Sequence, residues 1–292
     1  MPLFTELLFK YVNISIWDDR GRHMDFTGLS LKEEYRSFTD NIVKSFYVPL
    51  LSRGVLYQRA VGFFSSSALI EVSYGIGALL RNGGRIQLIV SPHLQEGDIE
   101  AIERGYEERS VIVERAIMRS FLEPRNYFEC ERLSLLASLI ADGRLDIKVA
   151  FIDRAGIGIY HEKLGLVYDR HDNAVAFTGS LNETATAFSH NYETIDVFCS
   201  WTADAERVRA KATAFKKLWN DDEPKMTILA FPQVARSKLQ AYRQESVNLH
   251  IDDEEFPSDD VAPSHPAGPK LPKDLKLHDY QLDAINLSLI HI

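Results

Sequence analysis

The chain has 292 residues, of which 45% are hydrophobic and 26% charged, with 16 glycines and 11 prolines. This composition is typical of a folded globular protein and excludes a disordered chain, a collagen-like repeat and a small disulfide-stapled protein. The net charge of −9 is concentrated at one end, because residues 245–292 hold three lysines and ten acidic residues. Residues 1–244 hold 30 basic and 32 acidic residues, so this larger part of the chain is compatible with a polyanionic ligand.

Cysteine usage and hydropathy bear on the cellular compartment. Cys130 and Cys199 are the two cysteines, and their spacing fits neither a metal site nor a disulfide framework. We therefore expect partly buried, reduced thiols and a cytoplasmic location. The N-terminus lacks the features of a secretory signal, and no run of 18 apolar residues predicts a membrane span.

From residue 51 onwards, apolar runs alternate with segments of helical period. Residues 55–65 and 85–91 are predicted strands, and the i, i+3, i+7 apolar spacing between them predicts a helix over 67–81. Helices are also predicted over 98–121, 129–142 and 203–220. Four further predicted strands cover 145–152, 160–169, 174–180 and 192–200. This order predicts an α/β fold in which helices flank a mixed β-sheet.

The composition changes after residue 248. Acidic residues and prolines without apolar periodicity predict a linker over 249–274. Apolar spacing returns at 275–285, which we interpret as the truncated start of a further domain over 275–292. The expected organisation is an N-terminal extension (1–40), a principal domain (41–222), a helical extension (223–248), the linker and that start.

Polar residues at the ends of neighbouring predicted strands could act on a phosphate. Side chains alternate along a strand, so His161 and Lys163 share a face, although such pairs are common on solvated strands. Ser180 and Asn182 follow the next strand at a position suited to holding an anion, or they cap an ordinary helix. Glu193 opens an apolar strand, where a carboxylate needs a partner. Together they offer a nucleophile, a cation, two hydrogen-bond donors and an orienting carboxylate, a set able to transfer phosphoryl groups without a metal.

These residues resemble a known motif. His161-x-Lys163, followed by Asp169, Gly179-Ser180-x-Asn182 and Glu193, is similar to the HKD motif of the phospholipase D superfamily, most closely its nuclease-like branch with a single motif per chain. The amino-acid sequence of residues 161–198 resembles that of the phospholipase D-like domain at the N-terminus of prokaryotic DEAD/DEAH-box superfamily 2 helicases. The resemblance implies a phospholipase D-like mixed sheet flanked by helices over about 40–220.

Two features qualify the resemblance. Five residues separate Asp169 from Lys163 where the family has four, and Tyr168 occupies the family position. Residues 277–285 are similar to the opening of the helicase domains, in which the glutamine matching Gln281 reads the adenine of ATP; the alternative is a short amphipathic helix. No G-x-x-x-x-G-K-[ST] loop occurs, so ATP is expected only for a complete helicase domain.

The resemblance also implies a mechanism. His161 would attack phosphorus to form a phosphohistidine, Lys163 and Asn182 would bind non-bridging oxygens with support from Ser180, and Glu193 would fix the imidazole tautomer. No metal or cofactor is expected for this step. The superfamily needs two motifs per site, and a homodimer that shares one active site would supply the second histidine, because none of His93, His171 and His190 is followed by a lysine two residues later.

The sequence therefore favours a metal-independent nuclease or phosphodiesterase, a hydrolase acting on DNA rather than RNA and joined to a helicase. The alternative is a catalytically silent domain that binds nucleic acid or dimerises the helicase. A lipid-directed enzyme is less favoured, because no membrane anchor and no second motif are found. Arg59 is either a phosphate contact at the border of the cleft or a polar residue of a core strand.

Overall fold

The computed structural model describes residues 25–65, 70, 73–95, 97–98, 108–121, 123–124, 126–152, 160–179, 194–244, 248 and 251. Eight strands occur in this part of the chain: β1 Glu34–Arg36, β2 Leu56–Phe63, β3 Arg85–Ser91, β4 Leu145–Ile152, β5 Leu164–Tyr168, β6 Ala174–Gly179, β7 Thr194–Cys199 and β8 Met226–Ala230. The helices are α1 Val48–Leu51, which continues a π-helical turn at Val43–Tyr47, α2 Ile76–Arg81, α3 Arg109–Arg119, α4 Tyr127–Ala141, α5 Ala205–Trp219 and α6 Gln233–Gln240.

All eight strands form one sheet in the order β1-β7-β6-β5-β2-β3-β4-β8. The central strands β2, β3 and β4 are parallel to one another, and the remaining pairs are antiparallel. This eight-stranded mixed sheet confirms the predicted α/β fold.

Helices cover both faces of the sheet. On one face, Val208, Phe215 and Leu218 of α5 pack against strand residues that include Leu164 and Leu166. On the other face, α1, α2, α3, α4 and α6 enclose a larger core that contains Val167 and Phe177. Because both faces are covered, β5 is apolar along nearly its whole length and does not alternate with polar residues.

Two predicted helices are interrupted. The predicted helix over 67–81 is wrong as a single element, because residues 73–75 form a turn and Gly75 adopts a left-handed conformation with φ of 74°. A Cβ at Gly75 would lie 3.0 Å from atoms of Tyr47, so the close approach of the chain to the π-helical turn also requires glycine. The predicted helix over 98–121 is likewise wrong, because Glu108 is extended, with ψ of 138°, and α3 begins at Arg109.

The sheet extends beyond the predicted principal domain on both sides. β1 belongs to the expected N-terminal extension and pairs with β7, while β8 belongs to the expected helical extension and pairs with β4. The predicted strand over 160–169 is shorter than expected, since β5 begins at Leu164. The linker over 249–274, apart from Ile251, and the helicase-like start lie outside the described residues. Among the helices described, none is long and apolar enough to cross a membrane.

Candidate active site

One edge of the sheet carries the predicted site, and we call it the His161 edge. β5 begins there, since Leu164 pairs with Ala60 near the end of β2 and with Thr178 near the end of β6. β7 begins at the same edge, because Gly179 pairs with Ile195. The parallel strands β2, β3 and β4 also end there. β1 ends and β8 begins there too, because Arg36 pairs with Thr194 and Met226 with Ile152, so each of the eight strands has one end at this edge.

His161 and Lys163 lie in the segment that leads into β5, and the structure brings them together. The Lys163 Nζ atom is 3.1 Å from the His161 Nε2 atom. His161 is exposed, and Lys163 is half-buried. An ammonium group can only donate a hydrogen bond, so in this contact Nε2 is the accepting nitrogen and the proton of the neutral ring is on Nδ1. The Nε2 electron pair that a nucleophile would require is thus held in the hydrogen bond with Lys163.

Tyr160 anchors the start of this segment. It packs against the α5 core, as Leu164 does at the first position of β5. The Tyr160 hydroxyl donates a hydrogen bond of 2.9 Å to Glu162 Oε2. Burial, reinforced by Glu162, raises the pKa of Tyr160, so its phenol stays protonated and remains a donor.

Asp169 lies at the opposite end of β5, and the structure does not bring it to His161. Its side chain is buried, and the carboxylate accepts four hydrogen bonds: from the backbone N–H groups of Phe26, His171 and Asn173 and from the side-chain amide of Asn173, at 2.8–3.0 Å. The carboxylate therefore holds the turn between β5 and β6 and ties it to Phe26. This placement corrects the inclusion of Asp169 among the candidate catalytic residues.

Ser180, Asn182, Glu193 and Gln281 lie outside the described residues. The strands on either side of the first three are described: β6 ends at Gly179, and β7 begins at Thr194. The described residues on either side of this segment, Gly179 and Thr194, therefore both lie at the His161 edge.

Other histidines in the described part of the chain divide between the two edges. His93 follows the end of β3 by two residues and is exposed at the His161 edge. His171 is in the β5–β6 turn, at the opposite edge, beside Asp169.

Arg59 lies in the middle of β2. The sequence leaves open whether it contacts a phosphate or is a polar residue of a core strand. Arg59 is 5% exposed, and its guanidinium Cζ lies 5.1 Å from the centre of the Phe177 ring. Its Nη1 atom is buried without a hydrogen-bond partner in the described part of the chain, as is the nearby Tyr57 hydroxyl. Burial raises the pKa of Tyr57, against a smaller opposing effect of the Arg59 charge. The available sequence signal was a charged residue inside the apolar run of residues 55–64.

A protein-family model described as "Cardiolipin synthase, PLD-like domain" matches residues 60–219. The chain belongs to this phospholipase D-like family. The match covers the chain from the second half of β2 to the end of α5 and includes His161 and Lys163. The predicted phospholipase D-like domain is confirmed, whereas the nuclease-like branch and the link to a helicase stay predictions.

Several solved structures match this chain over part of its length. NucT from Helicobacter pylori is 15% identical, with a TM-score of 0.41 over 68% of this chain and 100% of its own. Nuc from Salmonella typhimurium, a phospholipase D family member, is 13% identical, with a TM-score of 0.33 over 64% of this chain and 91% of its own. Yeast tyrosyl-DNA phosphodiesterase is 10% identical, with a TM-score of 0.29 over 50% of this chain and 26% of its own. A comparison with curated protein sequences gives no significant match.

Proposed function

We propose that this phospholipase D-like chain is a metal-independent phosphodiesterase that cleaves nucleic acid through a phosphohistidine on His161. The observation that carries the proposal is the 3.1 Å contact between Lys163 Nζ and His161 Nε2 at the His161 edge of the sheet. The contact pairs a nucleophilic nitrogen with a cation suited to a phosphate oxygen.

In the proposed first step, Nε2 attacks phosphorus, and an N–P bond forms while the bond from phosphorus to the leaving oxygen breaks. A second histidine donates a proton to that oxygen. The Lys163 ammonium transfers its hydrogen bond from Nε2 to a non-bridging oxygen as the phosphate arrives, which frees the attacking electron pair. Asn182 and Ser180 are proposed as further donors to these oxygens, and Glu193 as the acceptor for the Nδ1 proton.

In the second step, the second histidine removes a proton from water, whose oxygen attacks phosphorus and breaks the N–P bond. We propose that this histidine is His161 of a second copy, so that a homodimer shares one active site. The exposure of His161 supports this arrangement, because a partner surface can approach its ring.

DNA is the proposed substrate in preference to RNA, and the proposed setting is cytoplasmic, since Cys130 and Cys199 are free thiols. We further propose that residues 275–292 begin a superfamily 2 helicase domain. ATP would bind only to that complete domain, with Gln281 at the adenine, and the nuclease step itself would use no cofactor.

The proposal is tested by incubating labelled single-stranded DNA, double-stranded DNA and RNA of the same sequence with the chain in excess EDTA. We expect cleavage of DNA, its loss in His161→Ala, and its retention in His171→Ala, which removes an exposed histidine from the opposite edge. A covalent phosphate adduct found by mass spectrometry in the parent and absent from His161→Ala would identify the intermediate. DNA binding without cleavage by any variant would instead favour the catalytically silent binding domain.

A further inference from the structure

Arg59 lies beside the strand that His161 and Lys163 lead into. Its Cα pairs with that of Gly165 across β2 and β5, and residues paired in this way project their side chains from the same face. Lys163 lies two residues before Gly165, directly ahead of β5. With a rise of about 3.3 Å per residue and a strand spacing of about 4.8 Å, the Cα atoms of Arg59 and Lys163 are roughly 8 Å apart.

The charge of Arg59 is not neutralised by the described part of the chain. No described carboxylate forms an ion pair with its guanidinium. Its Nη1 atom has no hydrogen-bond partner there, although the residue is 5% exposed. The face of Phe177 is its described contact, and an aromatic ring compensates only a part of a buried charge.

Arg53 is a buried arginine whose Nη1 atom has an acceptor in this fold, although its Nε atom is buried without a hydrogen-bond partner in the described part of the chain. It precedes β2, at the edge opposite His161, and is 8% exposed. Its Nη1 atom donates a hydrogen bond of 2.8 Å to the carbonyl oxygen of Asp25. Arg59 has a similar burial but no such acceptor among the described residues, so the difference between them is the missing partner for Nη1.

We propose that Arg59 is an anion-binding residue of the His161 site and that it holds a non-bridging oxygen of the phosphodiester together with Lys163. The inference rests on the proposed function, because it names a further substrate contact of the same site. A guanidinium presents several N–H groups in a rigid plane, which suits a phosphate better than a second ammonium would. The substrate phosphate would supply the negative charge and the acceptor that the described fold does not.

This role and a purely structural role predict opposite effects of Arg59→Met. If the guanidinium serves to bind an anion, replacing it with an apolar side chain of similar length removes an uncompensated buried charge. The melting temperature without anion then stays equal or rises. If the guanidinium instead serves to pack on Phe177, its removal lowers the melting temperature and leaves anion binding unchanged.

The test measures thermal unfolding and calorimetric binding of the full chain with inorganic phosphate as the probe. We expect phosphate to raise the melting temperature of the parent, and Arg59→Met to weaken the phosphate Kd at least tenfold without lowering the melting temperature in the absence of phosphate. Arg53→Met is the matched control, and it should lower the melting temperature while keeping the parent's Kd.

Three outcomes would overturn the inference: a parent that does not bind phosphate, a parent-like Kd in Arg59→Met, or an Arg59→Met chain that fails to fold. The last outcome counts because it would show that the fold itself needs the cation. The readout does not depend on turnover. An inactive parent whose phosphate binding depends on Arg59 would contradict the proposed function alone, and an active parent whose Kd and KM are unchanged in Arg59→Met would contradict this inference alone.

Discussion

Asp169 accepts a hydrogen bond of 2.9 Å from the backbone N–H of Phe26, which lies 143 residues earlier in the chain. The contact is buried, and it joins the turn after β5 to the start of the described chain. A carboxylate that the sequence motif associates with catalysis therefore has a structural role in this protein. Its effects on stability and on chemistry can be separated by mutation.

Asp169→Asn should destabilise the fold and leave the chemistry intact. The substitution replaces one accepting oxygen with a donating NH₂ group that faces existing N–H donors, which should lower the free energy of unfolding by about 1–3 kcal/mol. Urea denaturation measures this loss, and kcat per folded molecule should stay within about twofold of the parent. Asp172→Asn is the matched control in the same turn, because Asp172 is exposed at a φ of 61° that asparagine tolerates. A large fall in kcat with unchanged stability would return Asp169 to the active site.

Gly165→Ala should destabilise the centre of the sheet. A Cβ at Gly165 would lie 2.0 Å from the Phe177 ring. That ring is fully buried and cannot move away, because edge-on contacts with Phe46 and Tyr47 hold its other sides. We expect a loss of about 1–3 kcal/mol in the free energy of unfolding. Gly97→Ala is the control, since nothing lies within 4 Å of a Cβ there, and equal stability of the two variants would contradict the packing described.

Asp98 should give the fold a stability that depends on pH. Burial by itself would raise the pKa of the Asp98 carboxyl. Hydrogen bonds from Arg119 and from the Gln95 N–H outweigh this effect, so the pKa is lowered overall. A pKa that is lower in the folded state stabilises the fold above the unfolded value of about 3.9, and this contribution is lost as the pH falls through the folded value. Chemical denaturation between pH 7 and pH 3 should show this loss in the parent.

Two variants separate this effect from general acid denaturation. Asp98→Asn should be less stable than the parent at pH 7, and the difference between them should shrink as the pH falls below about 4. Asp146→Asn, which removes an exposed carboxylate on β4, should follow the parent at every pH. A difference between Asp98→Asn and the parent that is constant across this range would show that Asp98 does not act through its charge.

A shared active site predicts how activity depends on subunit mixing. If each site needs His161 from both copies, a parent copy paired with a His161→Ala copy is inactive. Equal amounts, unfolded and refolded together so that pairing is random, should then keep about a quarter of the parent activity.

Loss of only half of the activity in that mixture would contradict the shared site. It would indicate that the second histidine lies within the same chain. His93, exposed at the His161 edge, is the described histidine to mutate in that event.

Much of the fold could be read from local sequence patterns. β3 and β4 have the predicted bounds, and α4 and α5 lie within about two residues of theirs, because continuous apolar runs and helical spacing reflect burial against neighbouring elements. These features depend on the period of the local backbone, which a single segment carries in its own residues. The structure also brings the His161 and Lys163 side chains within 3.1 Å of each other, although both residues precede the strand that was predicted to carry them.

Other features were decided by distant parts of the chain. β1 has three residues and a weak pattern of its own, and it is a strand because β7 offers it unpaired backbone groups; β4 does the same for β8. Gly75 breaks a segment of helical spacing because the chain must pass close to Tyr47. The partners of Asp169 likewise depend on which residues the sheet brings together. Hydrogen bonding and close packing depend on neighbours in space, so only the tertiary structure shows that the Asp169 carboxylate holds a turn and that the Arg59 Nη1 atom has no hydrogen-bond acceptor among the described residues.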